Sequence, residues 1–427
     1  MKFIKFLNNK VFHSLRTIEN NQKIYISSLI FISLLIKFFL LIGYDIPQPP
    51  DARKHINILD YLFDKVGFIA DVKYSVEIIF IAPYLKIQPL LLFYMGTFIT
   101  TILQIVVSSI GILLIFNIAK IITKNVHVAS ISALLFCFNP FITYYSLLFQ
   151  YETLFIFFLL SSMNLFLIKK KIASYFLFIF TILINPVAEF GIPVFIILTS
   201  IFIFKFSIIQ SFKNLSMYIV IYIIMQITMI SYNYKEFGTF VRYYQSGIIS
   251  LEYNEAYAKY GLDFEKIRKF NENIALKACP KDSNFSNDIF YLLTKHRACT
   301  QKVLNKYSYD YLLNTDNTLQ IMNDMLSRVG RLFSLYPYDT KETHVKIIST
   351  IYYSFLYFFL IIFFLQKKYL SNKQFYPIIF FTVLSLSVYI VLHAVFRYRV
   401  PYDTFLIILA SKVINDIIIK INKKTHN

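Results

Sequence analysis

The sequence predicts an all-α polytopic membrane protein of about ten transmembrane helices, with two long polar loops gathered on one face, and three observations predict it. The first is composition: 57% of the 427 residues are hydrophobic and 16% are charged, against about 25% charged in soluble domains. Mean hydropathy is +0.57, which excludes a soluble multidomain chain. The second is length: apolar runs of roughly 18 to 21 residues recur along the chain, each sufficient to cross a hydrocarbon core of about 30 Å as a helix. The third is where the charges fall between those runs.

In chain order, the basic stretch "MKFIKFLNNKVFHSLRTIENNQK" precedes an apolar run at 24–44. That run is too long for the apolar part of a signal peptide and lacks a small-residue cleavage motif, so it predicts a retained first span with its basic end in the cytoplasm. The remaining spans are expected near 96–119, 126–145, 153–168, 172–188, 190–206, 216–233, 346–365, 375–394 and 402–419, with both termini cytoplasmic. On that topology 6 acidic residues fall in segment 45–86 and 13 in segment 234–345, so most of the 24 face outward. Those segments hold 5 and 15 Lys or Arg, leaving the basic surplus in short inner turns such as "KKK" at 169–171. This is the positive-inside distribution. It accounts for the net charge of +19 without a nucleic-acid partner.

Three regions follow: an N-terminal membrane module, 1–233, with a first outer loop at 45–95; an extracytoplasmic loop subdomain, 234–345; and a C-terminal membrane module, 346–427. The second loop is too long for a plain connector. Leu312, Leu319, Met322, Leu326 and Val329 recur in it near helical spacing, which predicts a small helical subdomain or a surface helix on the bilayer. The first loop contains "FIAPYLKIQPLLLFYMG", able to rest in the membrane interface. Cys137 lies in a span, whereas Cys279 and Cys299 share the second outer loop. A disulfide between those two suits an oxidising compartment, and two free thiols are the open alternative.

Three clusters are candidates for chemistry. Asp51 follows "PQPP", where proline fixes φ and restricts the residue before it, so its carboxylate sits on a stiff segment; a solvated loop acid is the plainer reading. Glu152 stands in a short turn between two spans, where acids are costly and therefore functional candidates; capping the next helix is the alternative. In "HAVFRYRVPYD", His393, Arg397 and Arg399 place cations against the positive-inside trend, and guanidinium suits phosphate oxygens; lipid headgroup anchoring is the alternative. Lys37 is expected to snorkel outward, Gln104 and Gln226 to bond between helices, and "NP" at 139–140 and 185–186 to mark kinks or span ends. There is no HExxH, no CxxC and no Gly-rich phosphate loop among only 9 glycines, which argues against nucleotide chemistry of the P-loop or Rossmann type.

Taken in order, "PPDARKHINILDYL", "APYLKIQPLLLFYMGTF", "FNPFITYYSLLFQYETLFIF", "SYNYKEFGTFV" and "HAVFRYRVPYDTFLIILAS" resemble the membrane-embedded glycosyltransferases of the GT-C superfold, in particular the protein O-mannosyltransferase and lipid A aminoarabinose transferase group. The likeness spans most of the chain through short motifs. Two positions depart from the pattern: His55 stands where an aromatic is common after the loop acid, and Asn185-Pro186 stands for Arg-Pro.

The resemblance implies transfer of a sugar from a polyprenyl-phosphate donor to a lipid, glycan or protein acceptor on the outer face, with inversion. Asp51 would be the base. Arg397 and Arg399, with His393 and Tyr398, would bind the donor phosphate and meet its developing charge. Glu152 would orient the acceptor, or it or Asp51 would hold a divalent metal ion, and His55 and Lys86 would support the first loop. A bacterial inner membrane with the site facing the periplasm is the implied setting. The rival reading is a transporter or flippase of a lipid-linked saccharide; mid-membrane broken helices and repeats would favour it.

Overall fold

A computed structural model describes residues 21–43, 83–148, 150–237, 313–336, 343–392 and 396–426, with isolated positions between 266 and 311; for 83–94 the backbone alone is described. Among the described residues the structure is helical and without strands. In chain order the helices are α1 (Gln22–Gly43), α2 (Pro83–Thr123), α3 (Val126–Cys137), α4 (Pro140–Tyr145), α5 (Glu152–Leu167), α6 (Lys171–Ile184) and α7 (Ala188–Phe202). They continue as α8 (Ile208–Phe237), α9 (Thr318–Leu332), α10 (Thr343–Leu365), α11 (Lys367–Leu370), α12 (Tyr376–Leu392) and α13 (Val400–His426).

A helix stands at each of the ten expected positions, and α13, 27 residues long, joins neither of two groups. Five are long and apolar enough to cross a membrane: α1, the Met95–Thr123 part of α2, the Ile208–Ser231 part of α8, α10, and Lys373–Val391 around α12. The apolar helices α3, α5, α6 and α7 have 12, 16, 14 and 15 residues, shorter than the about 20 that a full crossing requires. The protein is therefore a multi-pass membrane protein whose short helices lie among the long ones. Gly96 takes φ +71, the left-handed region open to glycine, and marks the kink in α2.

The expected single span at 126–145 is broken. Pro140 lacks the N–H that would continue α3, and the Asn139 side chain accepts from Phe141 N (2.9 Å) and Ile142 N (3.0 Å), starting α4 as a separate short helix. The Asn125 side chain caps α3 in the same way, through Val128 N at 3.0 Å.

Short connections make neighbouring helices alternate in direction, so the turns at 124–125, 168–170 and 203–207 share one end of the bundle. Lys124, Lys169 and Lys205 each take positive φ there, closing a helix C-terminus with a conformation usually left to glycine, while the cation complements the helix dipole. The turn after α10 joins the same end, where Lys373 lies over the Phe202 ring at 6.0 Å and Lys368 lies 3.8 Å from Asp416. The opposite end carries 146–151, 185–187 and 396–399.

Burial follows the expected division. Tyr175, Phe178, Phe195 and Tyr218 are buried between α6, α7 and α8, whereas Phe31, Phe39, Ile209, Ile224, Ile351 and Phe358 on the long helices are exposed. In water those outward apolar faces would be a liability; in a bilayer they meet lipid. Close packing inside is tight enough that a Cβ on Gly191 of α7 would lie 2.6 Å from the Phe381 ring of α12.

In the second loop region the sequence stripe and the buried face are different sides of one helix. Leu319, Met322 and Leu326 of α9 are exposed, while Ile321, Arg328 and Leu332 are buried. Arg328 Nη1 donates to Val391 O at 2.9 Å, tying α9 to the end of α12.

Candidate functional site at one end of the bundle

At the end opposite the lysine-rich turns, the segment Phe396–Arg399 forms a single 3-10 turn that leads into α13. Its two arginines serve different arrangements. Arg399 is fully buried and its Nε lies 2.9 Å from Asp403 Oδ1 one turn later. Its Nη1 donates to Leu332 O at 2.9 Å and Ser334 O at 3.1 Å, and to the Tyr357 hydroxyl. Tyr353 OH donates to the other Asp403 oxygen at 2.7 Å, and Asn139 Nδ2 reaches the Tyr353 oxygen at 3.4 Å. The guanidinium also lies over the Tyr353 and Phe396 rings, at 4.4 and 4.8 Å. A charge pair without solvent holds best when its remaining polar atoms are matched; carbonyls at the end of α9 and phenols of α10 meet Arg399 Nη1 and the second Asp403 oxygen, while Arg399 Nη2 has no hydrogen-bond partner among the described residues. Arg399 is thus a structural tie joining four elements.

Arg397, two residues earlier, is 22% exposed and its Nε lies 3.6 Å from Oε1 of Glu152, which is 1% exposed. Its guanidinium carbon lies 5.2 Å from the centre of the Tyr398 ring. Tyr398 in turn stacks on Tyr389, at 4.7 Å and 17°, and Asn185 Nδ2 donates to the Tyr389 hydroxyl. Asn185 ends α6 with extended backbone, and Pro186 follows it. Each Asn-Pro dipeptide therefore ends a helix and also contributes an amide to one arginine's surroundings: Asn139 to Arg399, Asn185 to Arg397.

Glu152 is the first residue of α5, so a helix N-terminus stabilises its charge by about 0.3–1 kcal/mol, as the capping reading expects. The same side chain faces Arg397 across the bundle, so capping is not its whole environment. The turn before it is held by Gln104 of α2, whose Nε2 donates to Leu148 O (3.0 Å) and Gln150 O (3.3 Å). That matches the expected interhelical role of Gln104.

Asp51, His55, His393, Cys279 and Cys299 lie outside the described residues, and Lys86 lies where the backbone alone is described. The structure brings Glu152, Arg397 and Tyr398 together and assigns Arg399 to Asp403. Asp403 itself was visible in the sequence as an acid at a span mouth; its spacing of four from Arg399 at a helix start was the signal for the pair.

Lys37 corrects an expectation. It does not snorkel: it is 2% exposed, and Nζ donates to Ser108 Oγ at 2.8 Å and Ser109 Oγ at 3.4 Å. Ser33 Oγ lies 3.1 Å from Ser109 Oγ. Two serines on α2 give the ammonium partners within reach, which a route to the interface would forfeit.

Among the described residues no group of three or more His, Cys, Asp or Glu is gathered for a metal. Glu152 faces a guanidinium, Asp403 is bound to Arg399, and Glu189 accepts from Tyr222 OH at 3.0 Å. Asp51, the other residue expected to hold a divalent ion, lies outside the described residues. No protein family, no curated protein and no solved structure matches this chain.

Proposed function

We propose that the protein is a membrane glycosyltransferase of GT-C type that transfers a sugar from a polyprenyl-phosphate donor to a lipid, glycan or protein acceptor, with inversion, at the extracytoplasmic face of a bacterial inner membrane. The observation that carries this reading is the Glu152–Arg397 pair, a desolvated carboxylate facing a half-open guanidinium at 3.6 Å at the mouth of a greasy bundle.

The chemistry asks for a cation where a lipid phosphate departs and for a carboxylate where the acceptor hydroxyl loses its proton. Arg397, backed by the Tyr398–Tyr389 stack, is suited to the first task, with His393 beside it in sequence. Arg399, held by Asp403 and the Leu332 carbonyl, serves the scaffold of the turn and not the donor. Asp51 is assigned as the base on the stiff "PQPP" lip, with His55 and Lys86 supporting that loop, and Glu152 orients the acceptor. The lipid tail lies against the outward apolar faces of the long helices.

The test is release of polyprenyl phosphate from radiolabelled polyprenyl-phosphate sugars by purified protein with membrane extract as acceptor. Turnover by wild type that Asp51→Asn removes supports the reaction and its base together. Wild-type turnover retained by a folded Asp51→Asn protein rejects Asp51.

A transporter or flippase of a lipid-linked saccharide is the second reading, and one observation favours it: Lys37 is buried in α1 with hydroxyl partners on α2, a position where ionisable groups often serve a translocation pathway. Movement of labelled lipid across proteoliposomes without release of polyprenyl phosphate would select it.

A further inference from the structure

Next to Glu152, four neutral polar side chains are sealed from solvent with oxygen atoms that meet no donor. They are Thr100 Oγ1, Gln104 Oε1, Gln150 Oε1 and Thr153 Oγ1, on residues 0 to 3% exposed. Buried polar atoms are paired in more than about nine cases in ten; other orphaned atoms, Thr382 and Ser385 on α12 among them, lie elsewhere in the bundle, but none of those adjoins Glu152 in sequence. Here four occur on adjoining turns. Thr100 and Gln104 are one helical turn apart on the same face of α2. The Gln104 amide nitrogen is spent on Leu148 O and Gln150 O, which brings its orphaned oxygen to the turn that carries Gln150, Glu152 and Thr153.

We infer that this cluster of buried oxygens between α2 and the start of α5 is the subsite that takes the hydroxyls of the sugar carried by the donor. The chemistry favours that ligand class. Two amide oxygens are pure acceptors and two threonine hydroxyls can donate or accept, a set suited to sugar hydroxyls that do both. A metal ion suits the same oxygens, but its charge would meet the Arg397 guanidinium, which already faces Glu152 at 3.6 Å. Apolar ligands would leave every one of these atoms unmatched. Arg397 is the part of the cluster that reaches the surface, so the phosphate at Arg397 and the sugar at Gln104 and Gln150 would occupy one continuous polar strip. In that arrangement Gln104 and Gln150 are specificity residues: a pocket built to bond hydroxyls discriminates strongly against analogues that lack them. This inference rests on the transferase reading for its ligand.

The experiment measures binding of radiolabelled undecaprenyl-phosphate glucose, galactose, mannose and 2-deoxyglucose, and of sugar-free undecaprenyl phosphate, to the full chain in nanodiscs. The wild type should bind one sugar-linked lipid about tenfold or more tightly than the sugar-free lipid. Gln150→Leu and Thr153→Val should each erase that preference while keeping the affinity for sugar-free undecaprenyl phosphate. Thr100→Val, which changes one hydroxyl for a methyl, gives the same readout should either variant not fold. Equal binding of sugar-linked and sugar-free lipid by wild type overturns the inference, as does a preference that survives all three substitutions; a cluster that holds only buried water predicts that second result. Failure of the transferase reading looks different: the sugar preference is intact and no polyprenyl phosphate is released.

Discussion

Arg397 and Arg399 sit two residues apart in one turn, yet their surroundings differ in every respect that decides what a charge can do. The Arg399–Asp403 pair is closed at 2.9 Å with both side chains at zero exposure, and it is local, one turn of helix apart. The Glu152–Arg397 pair is longer, 3.6 Å, spans the bundle, and leaves the arginine 22% exposed. A sealed pair that meets a phenol of α10 and carbonyls at the end of α9 is invested in holding the fold. A partly exposed pair with one desolvated partner sets a strong field at the surface, because interactions strengthen where water is excluded. Two arginines that look equivalent in "FRYR" thus divide into a scaffold and a contact.

The largest expected effect breaks the scaffold. Asp403→Ala leaves Arg399 buried without its counter-charge and should cost about 3–5 kcal/mol, read as a large fall in melting temperature and in the yield of folded protein. Replacing both partners, Arg399→Met with Asp403→Leu, should recover most of that stability, since an apolar pair of similar volume often equals a buried ion pair.

Next comes the contact. Arg397→Ala leaves Glu152 desolvated without that guanidinium, so it should lower the melting temperature, though less than Asp403→Ala, and lower turnover by about 10²–10³-fold, as loss of one preorganised donor does elsewhere. Glu152→Gln keeps shape and removes charge; it should lower turnover by about 10²-fold. Were capping its whole role, that substitution would cost only about 0.3–1 kcal/mol of stability and leave turnover alone.

A smaller effect separates the two functional readings. Lys37→Met replaces a buried ammonium by a side chain of similar volume, so stability should stay within about 1.5 kcal/mol, and a transferase should keep its turnover. Loss of lipid movement in that variant would instead mark Lys37 as part of a pathway. The smallest effect lies on α9. Burial raises the Asp324 carboxyl above its ordinary value, with Arg328 and Arg331 pulling it back down. The folded chain then holds that proton more tightly than the unfolded one. Its contribution favours folding below the ordinary aspartate range and fades as pH rises through the raised folded value. Asp324→Asn should flatten that slope in an acid melt series.

Much of the architecture was legible because hydrophobic run length and charge placement are direct consequences of a bilayer: the described residues are helical, five helices are long and apolar enough to cross a membrane, and the lysine-rich turns gather at one end. Span continuity was less legible, since apolar content counts Val126–Tyr145 as one run while Asn139-Pro140 breaks it through backbone bonding. Glu152 and Arg397 were visible as charges out of place. Their pairing was not, because it joins residues 245 positions apart and depends on how α5 and α13 meet. Lys37 misled for a related reason: snorkelling is the rule for a lysine seen alone in its span, and the serines that hold it are more than 70 residues away. On α9, the periodic Leu319, Met322 and Leu326 mark an outward face, because periodicity finds an apolar side without saying what covers it.

The most direct test of the account compares the two arginines in one assay: release of polyprenyl phosphate from the radiolabelled donor, with melting temperature measured on the same preparations. Folded Arg397→Ala should melt above Asp403→Ala and release at least about 100-fold less than wild type, while the Arg399→Met, Asp403→Leu double variant, once folded, keeps much of its turnover. Wild-type release by Arg397→Ala, or loss of release by the folded double variant alone, would contradict the account.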